Sequence, residues 1–154
     1  MNAKIPLPKT NGHLKQIQHL AKTKENPPPI ATLIGFDVVE VEHAHTVFTM
    51  QAEKRHANPM GTLHGGILCD LGDAAMGMAM ATTLEDDESF TSLDITIKFF
   101  KPVWNAKLTA TADVVKRSRQ LGLVECEVTD EKGSLVAKLY SQCMVLRGDE
   151  AKGR

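Results

Sequence analysis

The sequence predicts an α+β domain in which one long helix packs on a mostly antiparallel sheet. Three observations carry that expectation. Residues 67–83 (ILCDLGDAAMGMAMATT) are small or apolar on nearly every side, the pattern of a helix buried all round. The segments on either side of it are rich in β-branched residues and alternate with a period of two. Short polar connections join successive alternating segments, which is how antiparallel neighbours are linked.

The elements follow in order. Residues 13–24 place Leu14, Ile17, Leu20 and Ala21 at helical spacing, and the run Asn26-Pro27-Pro28-Pro29 is expected to stop that helix, because proline lacks the donor and restricts its predecessor. Residues 36–41 and 46–50 read as a hairpin across the polar connection 42–44. After the central helix, the acidic run 85–88 reads as a solvated loop. Leu93, Ile95, Ile97 and Phe99 then share one face of a strand, with Asp94, Thr96 and Lys98 on the other. Residues 107–117, 122–129 and 134–146 read as three more strands, the last two joined by a turn over 130–133 in which Gly133 suits a positive φ. We read residues 1–29 as a tail with a short docking helix, 30–146 as the domain, and 147–154 as a second tail.

Composition narrows the function. With 18 basic and 19 acidic residues the net charge is -1, so no broad field draws the chain to nucleic acid or an anionic membrane. An anionic ligand must be held by a local cluster. Asp70 and Asp73 interrupt the longest apolar stretch, so no membrane span is expected, and the first dozen residues lack the apolar run of a signal peptide. A cytoplasmic enzyme or binding protein is the expectation. Cys69, Cys126 and Cys143 are widely spaced and flanked by apolar residues, with no CxxC, and read as three buried, reduced thiols.

The informative stretch is 58–73, NPMGTLHGGILCDLGD. Gly61, Gly65 and Gly66 fall at a strand-to-helix turn, where glycine lets a ligand approach the backbone closely. The first N–H groups of a helix have no internal partner and carry partial positive charge, so a carbonyl oxygen held there is stabilised as it gains negative charge. Asp73 is a carboxylate within an apolar helix and should be paired, hydrogen-bonded or shifted in pKa, as general bases and nucleophiles are. Asp70 reads as a charge favoured by the helix dipole. Asp73 lies eight residues beyond Gly65, about 12 Å along the axis at roughly 1.5 Å per residue. If both act on one carbonyl, they come from two chains related by a two-fold axis.

Asn58-Pro59-Met60-Gly61-Thr62-Leu63-His64-Gly65-Gly66 with Asp73, continued through residues 91–102 (TSLDITIKFFKP), resembles the signature of hotdog-fold acyl-CoA thioesterases of the phenylacetate-degradation (PaaI-like) branch. The resemblance spans residues 30–146. It implies a long central helix wrapped by an antiparallel sheet, homodimers with a continuous sheet and often homotetramers, and hydrolysis of acyl-CoA thioesters without metal or cofactor. It further implies that Gly65 donates its N–H to the thioester carbonyl, with Gly66 beside it on the substrate. Asp73 of the partner subunit is then general base or nucleophile. Asn58 holds the attacking water or the thioester, Ser92 orients water beside the aspartate, and His64 shapes the loop or touches substrate.

His43 and His45 form a polar turn with no third metal ligand in reach, and Met76, Met78 and Met80 fit as core filler or tunnel lining. The cluster Lys116-Arg117-Ser118-Arg119 is either a solvated hairpin end or a clamp for CoA phosphates through Arg117 or Arg119. No G-x-S-x-G occurs, so a serine triad is not expected. A hotdog dehydratase would need a catalytic histidine in a different motif. A non-catalytic acyl-CoA binder or sensor would have no need of Asp73, Asn58 and Ser92 together, so a thioesterase is the reading the residues favour.

Overall fold

The computed structural model describes residues 5–153, so the first four residues of the expected leading tail and residue 154 lie outside it. In chain order the elements are α1 (Gly12–Thr23), α2 (Pro29–Ile34), β1 (Phe36–Glu42), β2 (His45–Ala52), α3 (Gly65–Ala81), β3 (Glu88–Ser92), β4 (Thr96–Phe99), β5 (Ala106–Arg117), β6 (Leu121–Thr129) and β7 (Leu135–Arg147), with short 3₁₀ turns after β2 and β7. All seven strands belong to one antiparallel sheet in the order β1-β2-β5-β6-β7-β3, with β4 also pairing β7. The sheet curls around α3, the hotdog arrangement.

Alternation explains the core. On β5, Leu108, Ala110, Ala112 and Val114 face inward, and Val124, Cys126 and Val128 do so on β6. They meet Leu71, Met76 and Met80 of α3, all fully buried. The helix comes close enough to the sheet that a Cβ on Gly72 would lie 2.5 Å from a Leu139 methyl carbon, so any side chain there would have to push the buried Leu139 aside. Thr46 is buried under the helix and donates to the Ala75 carbonyl at 2.8 Å. Thr82 closes α3, with its hydroxyl donating to the Ala79 carbonyl at 2.6 Å and accepting the Ala44 N–H at 2.8 Å. This joins the helix end to the β1–β2 turn.

Four expectations need correction. Lys24, in the left-handed region, ends α1 before the proline run is reached, and Pro29 starts α2 instead, because the first helical position needs no N–H and suits proline's φ. Of the strand expected over 93–99 only β4 forms; it shares one edge of β7 with β3, and the two are separated where Asp94 replaces the ladder: its Oδ1 accepts the Gln142 N–H at 2.9 Å and its carbonyl accepts the Ser141 hydroxyl at 2.8 Å. Leu93, Ile95 and Phe99 are exposed in the single chain. Glu88 leaves the acidic loop and is buried at the start of β3. Cys126 and Cys143 are buried as expected, whereas Cys69 is only half-buried.

Candidate active site

The loop entering α3 is built by its own polar side chains. Asn58 Oδ1 accepts the Met60 N–H at 2.9 Å and the Thr62 N–H at 3.3 Å, while its Nδ2 donates to Thr62 Oγ1 at 2.9 Å. One Nδ2 hydrogen is left for another acceptor. Gly61 takes the positive φ of 84° that this tight turn requires. Buried His56 fastens the loop from beneath. Its Nδ1 accepts the Glu53 N–H at 3.2 Å, its Nε2 reaches the Ile34 carbonyl at 2.9 Å, and its own carbonyl accepts the His64 N–H at 2.9 Å.

His64 is the N-cap of α3, and its Nδ1 accepts the Gly66 N–H at 2.9 Å. An accepting Nδ1 places the ring proton on Nε2. The His64 carbonyl takes the Ile67 N–H at 3.0 Å. Among the described residues this leaves the Gly65 N–H as the first-turn donor with no protein partner. It opens on a cavity of about 430 Å³ shared with Leu68, Phe99 and Phe100. A Cβ on Gly65 would lie 2.8 Å from the Phe99 ring, so the backbone there is approached as closely as glycine permits. Gly66 was expected to bind substrate beside Gly65, but its amide is taken by His64.

Asp73 lies two turns further on, on the outward face of α3, exposed in the single chain. It opens on a second cavity of about 570 Å³, mostly apolar, whose lining includes Ser92, Phe90, Gly77 and Met78. Apolar surroundings push its carboxyl up from the ordinary aspartate range, and the neighbouring charge of Asp70 pushes it further. Ser92 ends β3, exposed, with its Oγ 4.0 Å from Cys143 Sγ. Burial raises the Cys143 thiol above its usual range, and the charge of Asp73 contributes in the same direction.

The predicted residues thus separate into two groups within one chain. Asn58, His64, Gly65 and Gly66 sit at the helix entrance, and Asp73 with Ser92 at its middle. The two arginines also separate. Arg117 pairs with Glu88 at 2.6 Å, and only 10% of its side chain is exposed, so its guanidinium is already committed. Arg147 contacts the same carboxylate. Arg119 is exposed in the β5–β6 turn and has no carboxylate partner among the described residues. Sequence reasoning missed Phe99 above Gly65 and the buried Glu88 centre. The first follows from the strand break at Asp94, and the second joins residues 29 positions apart. Among the described residues no three metal-ligating side chains cluster, and no helix is long and apolar enough to cross a membrane.

A free helix-entrance amide and a carboxylate half-way along, both carried by the central helix of a curled antiparallel sheet, are the pair from which chemistry on an activated carbonyl can be built. Comparison with known proteins makes the class specific. A family model described as the thioesterase superfamily matches residues 60–137. The 1,4-dihydroxy-2-naphthoyl-CoA hydrolase of Listeria monocytogenes is 28% identical over 112 residues, 73% of this chain and 89% of that protein. Acyl-coenzyme A thioesterase 13 of Mus musculus is 31% identical over 91 residues, 58% of this chain and 64% of that protein. For the fold, the solved structure of E. coli PaaI matches with a TM-score of 0.78 at 23% identity, over 88% of this chain and 97% of that one. The chain belongs to the thioesterase superfamily, in its PaaI-like hotdog branch, and is a thioester hydrolase.

Proposed function

We propose that the chain hydrolyses acyl-CoA thioesters at sites formed between two copies, the Gly65 N–H of one facing Asp73 of the partner subunit. The observation that carries this reading is that Gly65 and Asp73 open on different cavities of the same chain. About 12 Å of helix separates them, too far for both to reach one carbonyl carbon. Two antiparallel copies of α3 bring the amide of each to the carboxylate of the other. Exposed Leu93, Ile95 and Phe99 along the β3–β4 edge support burial against a second copy. Homodimers are the unit this chemistry needs, and homotetramers are compatible with it.

In the reaction the thioester oxygen accepts the Gly65 N–H. The ionised Asp73 either takes a proton from water, which adds to the carbonyl carbon, or attacks that carbon itself. The tetrahedral oxyanion stays on the Gly65 amide, the C–S bond breaks, and CoA leaves as a thiolate that is then protonated. On the direct route, water hydrolyses the resulting anhydride. Both routes need the carboxylate charged. The free Nδ2 hydrogen of Asn58 holds water or thioester, Ser92 orients water, and His64 fixes the loop. Arg119 is the better placed cation for a CoA phosphate, since Arg117 is held by Glu88.

The test is release of free thiol from aryl- and alkyl-CoA esters by the wild-type chain and by Asp73→Asn. The expected loss is a hundredfold or more, about 2.7 kcal/mol of transition-state stabilisation. No turnover of any CoA ester, with CoA still bound, would favour a binding protein instead.

A further inference from the structure

We propose that α1, which lies outside the segment matched by the family model, walls the apolar cavity beside Asp73, and that Ala21 on α1 and Gly77 on α3 set the length of acyl chain admitted. The inference rests on the acyl-CoA reading above and adds what the site selects. Two separate observations support it.

The first is what α1 does with its apolar face. None of its residues is buried, yet Ile17, Leu20 and Ala21 line the cavity together with Asp73 and Ser92. Half-buried at Leu14, Ile17 and Ala21 and fully buried nowhere, the helix is tied down along its length by polar contacts. Glu85 accepts the Lys9 and Thr10 N–H groups at 2.9 and 2.7 Å, and Asp86 accepts the Gly12 N–H at 2.8 Å. Gln18 donates to the Val41 carbonyl at 3.1 Å, and Lys24 pairs with Asp37. The fastenings are polar and peripheral, so the apolar face is left over the void.

The second is Gly77. Glycine inside a helix weakens it and usually has a packing reason. Gly72 has one, since its Cβ would lie 2.5 Å from Leu139. Gly77 has none: a Cβ there would meet nothing nearer than the Phe90 ring at 3.7 Å. It lines the same cavity, where a missing side chain is room for a ligand. That cavity runs from the proposed catalytic carboxylate and is predominantly apolar, so its occupant is the hydrocarbon part of the acyl group.

The test compares Gly77→Ala, Gly77→Leu and Ala21→Leu with the wild type. Thiol release from saturated acyl-CoA esters, butanoyl to dodecanoyl, reads turnover. Titration calorimetry of butanoyl-CoA and dodecanoyl-CoA, with each substitution placed in an Asp73→Asn background, reads affinity without turnover. The expected result for the leucine variants is a dodecanoyl-to-butanoyl ratio lowered about tenfold or more in both readouts, mainly through KM, with a smaller change for Gly77→Ala. Light scattering reports the number of subunits. An unmoved affinity ratio in folded variants, or a changed subunit number with the ratio unmoved, overturns the assignment. Absence of turnover in the wild type with a shifted affinity ratio would count against hydrolysis of CoA esters and leave the selectivity assignment standing.

Discussion

Gly65 sits at the first helical position of α3, the one helical site where proline is also at home. The preceding His64 has φ -65° and ψ 131°, the extended backbone that a following proline requires. Gly65→Pro therefore removes the proposed carbonyl donor with little demand on the helix, beyond displacing the exposed Phe99 ring. We expect kcat to fall by about a hundredfold or more, with thermal unfolding close to wild type; an unimpaired kcat would remove Gly65 from the mechanism. Asp73 makes a separate statement through pH. In the proposed mechanism its charged form is the active one, so activity is expected to be full above its pKa and lost as pH falls through it. A carboxyl raised by apolar surroundings and by Asp70 moves that loss upward from the ordinary aspartate value of about 3.9. Asp70→Asn withdraws the like charge and should shift the acid limb of kcat/KM to lower pH. A limb that stays put would mean that Asp70 is too well solvated to be felt.

At the scale of elements, the start of β3 is secured by a buried carboxylate. Glu88 meets Arg117 from β5 and Arg147 from β7, so three strands converge on one side chain. Glu88→Gln leaves the buried Arg117 guanidinium uncompensated, and urea denaturation should show a loss of about 3 kcal/mol or more; a loss near zero would place the centre effectively in water. The same elements show what local pattern can convey. The strands β5 to β7 were legible to within a residue or so because strict alternation against a buried helix leaves one register. Residues 36–52 and the central helix were legible for similar reasons. The rest depends on contacts distant in the chain. Glu88 is one of four consecutive acids, and only its arginine partners distinguish it from the solvated ones. The break at Asp94 is made by Gln142 and Ser141, and the run of prolines expected to stop one helix instead starts another at Pro29. For the site, the spacing of Gly65 and Asp73 was readable as a distance, whereas the capture of Gly66 by His64 and of Arg117 by Glu88 was not.

For the whole molecule, the separation of Gly65 from Asp73 allows a test that does not depend on any single substitution. Asp73→Asn and Gly65→Pro chains are each expected to be inactive alone. Unfolded together and refolded, half of the randomly paired dimers would be mixed, and each would carry one intact site of two. Recovery of about a quarter of wild-type activity is expected, whereas sites lying within single chains would give none. The sheet order carries a consequence for how the chain is made. The most apolar helix, α3, follows β2, one strand it lies on, but the other two, β5 and β6, are synthesised after it. The final strand, β7, partners β6, β3 and β4 all at once. Until it leaves the ribosome, two strands have no neighbour at all and the helix has no closed cover. A chain made only as far as β6 is thus open to misassociation, and loss of β7 would unpair a whole edge of the sheet.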